Sequence, residues 1–123
     1  DQAKRLINNL PILLRQGGIV SSTYATGMQW DAPYGWAPHQ YFAVKGLLKY
    51  GYEKEAKKIA QRFVDLILSE FERTGHIFEK YDVIHSTSEL NQEFKYGYKE
   101  NVTGFGWTNA VFLEFIDILG YKI

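Results

Sequence analysis

Apolar positions recur at helical spacing in four stretches of this chain. Ala3, Leu6, Ile7, Leu10, Leu13 and Leu14 predict a first helix over residues 2–14. Pro11 is expected to kink or split it, and Gly17-Gly18 to end it. A second helix carries Tyr41, Phe42, Val44, Leu47 and Leu48, and stops at Gly51. Pro38 falls near its first turn, where a missing N–H costs nothing. The third stretch, 53–73, has the clearest stripe, formed by Ala56, Ile59, Ala60, Phe63, Val64, Ile67 and Phe71. Lys54, Lys57, Lys58, Arg62, Asp65, Ser69 and Glu72 lie off that stripe and read as a solvated face; Gly75 closes the helix. A fourth helix over 108–119 groups Val111, Phe112, Phe115, Ile116 and Leu119.

Between these helices, residues 19–37 and 77–106 lack periodicity and read as two long loops. Helices two and three are joined by a turn of two residues, Gly51-Tyr52. Paired antiparallel helices with this alternation gather their long loops on one face, opposite the short turns. Segments 29–38 and 78–107 are therefore expected on the same face. Loops of that length in a compact domain are usually functional or disordered. Their rings and acids argue for function.

Composition narrows the class. The 123 residues fit one domain and contain no apolar run long enough to cross a membrane. Fourteen basic residues balance fourteen acidic ones, so no net field favours nucleic acid or an anionic membrane. The lack of cysteine excludes disulfides and thiolate metal sites. No signal-peptide pattern precedes the first helix, and the compartment is left open. Nine Tyr, eight Phe and three Trp either fill a helical core or line a carbohydrate cleft.

The chemistry concentrates in three segments. Gln29-Trp30-Asp31-Ala32-Pro33-Tyr34-Gly35-Trp36-Ala37-Pro38 packs two indoles, an amide and a carboxylate beside two prolines that fix the backbone. Indole faces suit the C–H patches of a sugar ring, and the amide and acid suit its hydroxyls. Phe78-Glu79-Lys80-Tyr81-Asp82 supplies Glu79, placed to act as a general base at a cleft mouth or simply paired with Lys80. Asp82 reads as a turn or capping residue. Gly104-Phe105-Gly106-Trp107-Thr108-Asn109 offers Phe105 and Trp107 as stacking faces, with Trp107 equally suited to staple the last helix to the core. Thr108 or Asn109 is positioned to cap that helix. His39, His76 and His85 have no metal-ligand spacing, and neither a phosphate loop nor a serine-hydrolase elbow is present.

Together these segments resemble the family 37 trehalases. The ten-residue stretch 29–38 looks like that family's second signature. Gly17-Gly18-Ile19, Glu79-Lys80-Tyr81-Asp82 and Gly104-Phe105-Gly106-Trp107-Thr108-Asn109 recur there in the same order. The resemblance implies an all-α fold, with residues 1–123 forming the C-terminal part of one (α/α)6 toroidal catalytic domain. It implies inverting hydrolysis of α,α-trehalose to two glucoses, with Glu79 as general base. Gln29, Trp30, Asp31, Trp36, Phe105 and Trp107 become the residues expected to bind substrate. No cofactor is implied. The partners implied are a small sugar and the remaining N-terminal part of the domain, which carries the general acid, an aspartate, and the arginines. Two departures stand out. Met28 replaces a second glutamine, and the stretch before Gly104 lacks the family's glycine-rich lid. Ungapped counting puts Tyr98 where the family has a sugar-contacting glutamate, with Glu93 and Glu100 as possible substitutes. A related α-glucoside hydrolase, or a non-catalytic sugar-binding remnant, are the alternatives.

Overall fold

The structure, a computed structural model, describes residues 2–90, 94 and 97–122. Among the described residues four helices carry the fold: α1 (Gln2–Leu13), α2 (Ala37–Lys49), α3 (Glu53–Thr74) and α4 (Gly106–Leu119). The core lies where α2, α3 and α4 meet. Val44 and Leu47 pack with Ile59, Phe63 and Ile67, and with Val111 and Phe115. Phe63 meets Phe115 edge-on with ring centroids 6.3 Å apart. Gly75 ends α3 at φ 75°, a left-handed conformation that favours glycine.

The stripes predicted from spacing need small corrections. Phe42 and Phe71 are exposed rather than core residues. Their places on the buried faces are taken by polar side chains, Gln40 on α2 and Glu70 on α3. The first helix runs through Pro11, which lies two residues before its end, so only the final turn loses bonding. None of its residues is fully buried; Ile7, Leu10 and Leu13 rest against the core from outside. Neither Thr108 nor Asn109 caps α4, which begins at Gly106 with Phe105 at the N-cap and no side-chain cap.

The two segments read as loops contain short ladders. β1 (Leu14–Arg15) and β2 (Gly18–Ile19) form a hairpin. β3 (Tyr34–Trp36) and β4 (Lys80–Asp82) pair antiparallel, with Trp36 opposite Lys80 and Tyr34 opposite Asp82. Strands of two or three residues are too short to show an alternating pattern. The second ladder joins segment 29–38 to segment 78–107, as their predicted common face requires. The 50–52 turn lies one α2 length away, about 20 Å at 1.5 Å per residue.

Side-chain amides extend this pairing. The Gln40 amide donates to Ile19 O at 2.6 Å and accepts from Ile19 N at 2.8 Å, completing both bonds of a strand residue. Gly35 packs so closely here that an added Cβ would lie 2.7 Å from Ile19 O and 2.6 Å from Val83 Cγ1. Asn101 does the same for Lys80, donating to its carbonyl at 2.9 Å and accepting from its N–H at 3.3 Å.

Candidate active site

Glu79 sits at a bend between an isolated bridge, Phe78 to Thr103, and strand β4. Its N–H donates to Val102 O at 2.8 Å, and its carbonyl accepts from the buried Thr108 hydroxyl at 3.3 Å. The side chain is buried rather than open at a cleft mouth. Its two carboxylate oxygens have different partners. Oε2 accepts from the Lys80 ammonium at 2.7 Å, so the predicted pairing with Lys80 exists, but inside the protein. Oε1 accepts from the Tyr98 hydroxyl. Tyr98 is 46% exposed, so the Oε1 side is the one nearer solvent. Desolvation and the Glu79 carboxylate push the Tyr98 phenol up to about 12, and it stays a donor at neutral pH.

The aromatic wall stands beside this carboxylate. Trp30 and Trp36 stack with centroids 3.8 Å apart and planes within 6°. Trp107 meets both edge-on, at 6.4 Å and 6.0 Å, and Phe105 leans on Trp107 at 4.7 Å. Trp36 is the buried member, its indole N–H donating to Gln29 O at 2.8 Å. Trp30 and Trp107 keep 41% and 36% of their surface, so Trp107 is not stapled into the core. His39 closes one edge of Trp30 at 5.2 Å; burial lowers its pKa, favouring the neutral ring. Gln29 reaches across to Gly97, where an added Cβ would lie 2.7 Å from Gln29 Nε2. The Gln29 Oε1 atom is buried without a hydrogen-bond donor among the described residues.

Six of the seven residues picked out from the sequence thus occupy one neighbourhood: Glu79, Gln29, Trp30, Trp36, Phe105 and Trp107. The Asp31 carboxylate is held by its own loop. It accepts from Ser22 Oγ at 2.8 Å and from the Thr26 hydroxyl, and these bonds lower its pKa. Its effect is to close its own loop. Asp82 fills the turn role expected of it, accepting from the N–H groups of Ile84 at 3.0 Å and His85 at 2.8 Å. Glu93 lies outside the described residues. Glu100 is exposed, and its backbone carbonyl lies 3.5 Å from the Lys80 ammonium. No group of three or more His, Asp or Glu side chains among the described residues could hold a metal.

Sequence reasoning missed Asn101, which fixes the Lys80 backbone and also donates to Ser88 O at 2.8 Å. It also missed Glu70, which accepts from Ser88 N at 2.7 Å and from Arg73 at 2.7 Å, tying the segment after β4 to α3. Two cavities, of about 410 and 270 Å³, lie elsewhere: one between α1 and α2, the other beside Arg62 and Ser69. Neither is lined by a residue of the carboxylate–indole cluster.

A mainly helical scaffold holding a buried carboxylate beside stacked indoles narrows the class, and comparison with known proteins fixes the family. The Trehalase family model matches residues 2–120. This chain belongs to the trehalase family. It is 40% identical over 108 residues to the periplasmic trehalase of Pseudomonas aeruginosa, covering 88% of this chain and 19% of that protein. It is 37% identical over 130 residues to the cytosolic neutral trehalase of Kluyveromyces lactis, covering 92% and 17%. The neutral trehalase Nth1 from Saccharomyces cerevisiae superposes with a TM-score of 0.73 at 29% identity, over 97% of this chain and 21% of that one. The chain therefore spans about a fifth of the length of the relatives it matches.

Proposed function

We propose that this chain is the C-terminal portion of an inverting α,α-trehalase and supplies its general base, Glu79. The observation that carries this reading is the asymmetric seating of the Glu79 carboxylate, one oxygen on a buried ammonium and the other toward the half-exposed Tyr98 side. A base needs one oxygen free to accept a proton once its cap is displaced. Oε1 meets that need when Tyr98 gives way to water. The water attacks the anomeric carbon, its proton passes to Glu79, and the bond to the departing glucose breaks as an acid protonates the bridging oxygen.

Inversion requires that acid on the opposite face, with the two carboxyl groups roughly 6.5–9.5 Å apart to hold the water. The acid would come from the part of the domain that this chain does not span. Trp30 and Trp107 offer exposed faces to the sugar, and Gln29 Oε1, which has no donor among the described residues, suits a sugar hydroxyl. Trp36 supports Trp30 from beneath.

The test is Glu79→Gln in the complete enzyme. Turnover of trehalose is expected to fall by about 10²–10⁴, the usual contribution of a general base, with iminosugar affinity changed no more than about threefold. Near-normal turnover in that variant overturns the assignment.

A second reading rests on Tyr98, which places a phenol against Glu79 where the family pattern has a carboxylate. A phenol presents one donor where a carboxylate only accepts, which favours a related α-glucoside over trehalose. Comparing kcat/KM on trehalose with kcat/KM on other α-glucosides decides between the two.

A further inference from the structure

Lys80 is a lysine with no exposed side-chain surface. Its ammonium lies 5.1 Å from the centroid of Trp36, 5.6 Å from that of Phe94 and 4.9 Å from that of Tyr98. One N–H reaches Glu79 Oε2, another reaches toward Glu100 O at the limit of bonding, and the rings receive the remaining positive edge. The strand register makes this cage. Trp36 stands opposite Lys80 in the β3–β4 ladder, so both side chains share one face. The bend at Glu79 breaks the alternation of neighbouring side chains, so two sequence-adjacent heads converge. Asn101 then pins the Lys80 backbone through both its polar groups.

Burying an ion pair is expensive, and apolar side chains of similar volume would fill the same space at lower cost. A charge pair kept here calls for a role that charge performs. We infer that Lys80 is the positioning residue of the proposed base: its caged ammonium fixes Glu79 Oε2 and so turns Oε1 toward the opening as the oxygen that takes the proton. This rests on the reading of Glu79 given above. Lys80 touches neither water nor sugar in this scheme and acts through Glu79. The aromatic cage holds the ammonium in place without supplying a second anion that would compete for it.

The experiment uses the complete enzyme as wild type, Lys80→Met, Glu79→Gln and the double variant, with kcat, KM and the thermal midpoint measured for each. Lys80→Met is expected to lower kcat about 100-fold while KM stays within about threefold, because sugar contacts are untouched. In the Glu79→Gln background the same substitution should cost no more than about twofold, since no carboxylate remains to be held. Wild-type kcat in Lys80→Met overturns the inference. So does an equal loss in both backgrounds, the mark of a merely structural lysine. If Lys80→Met alone does not yield folded protein, the double variant decides, because it removes both charges together: residual turnover well below that of Glu79→Gln overturns the inference, and equal turnover supports it. The two readings fail separately. An active Glu79→Gln removes the base, whereas an inactive Glu79→Gln beside an active Lys80→Met removes only the role of Lys80.

Discussion

Glu70 carries a charge into the interior, and its surroundings show why it stays there. The Arg73 guanidinium and the Ser88 hydroxyl and N–H all donate to its carboxylate, holding its pKa down at about 2. A carboxylate with a depressed folded-state pKa stabilises the fold above the unfolded value and loses that contribution as pH falls through the folded one. The window here runs from the ordinary value of 4.5 down to about 2. Glu70→Gln is expected to lower the midpoint of denaturant unfolding at pH 7 and to flatten the fall in stability below pH 4.5. A mutant whose acid profile superimposes on wild type would refute this account. Gln40 and Glu70 both stand at helical spacing from core residues, Val44 and Ile67. A polar residue on an apolar stripe therefore signalled a buried network, but spacing alone does not reveal its partners. Those partners, Ile19 and Ser88, lie 21 and 18 residues away.

Among the elements, the helices were legible because each repeats its apolar spacing over two or more turns, and Gly75 marks an end that the backbone confirms with a positive φ. The ladders were not legible. Each is two or three residues long, and their partners are set by tertiary packing rather than by local pattern. Lys80 belongs to this class of residue: it reads as a surface partner for Glu79 until β4 pairs with β3 and lays it over Trp36. The Gln40 amide is the testable joint of this region. Gln40→Leu keeps the volume but leaves the buried Ile19 N–H and carbonyl without these partners, at a cost of roughly 2–4 kcal/mol. The thermal midpoint should drop clearly; a variant melting within a degree of wild type would mean that other groups take over the pairing.

The whole molecule leaves one flank uncovered. Leu6, Phe42 and Tyr50 are exposed by 56%, 72% and 69%, and they line the apolar cavity of about 410 Å³ between α1 and α2. Isolated apolar residues on a surface are ordinary, whereas these three line one apolar cleft. The four helices were readable from periodicity, whereas this exposed flank was not, because periodicity tells which side of a helix is apolar and not what meets it. Residues 1–123 made alone should self-associate, bind a hydrophobic dye and fail to hydrolyse trehalose. Size-exclusion chromatography with a trehalase assay checks this; a monomeric, active preparation would contradict it.

The paired indoles have a geometric consequence of their own. Trp36 occupies one side of Trp30, while Trp107 and His39 meet it edge-on. A visitor to Trp30 therefore finds a single landing plane with a fixed handedness. A ring can stack on Trp30 from that side only, because Trp36 holds the other.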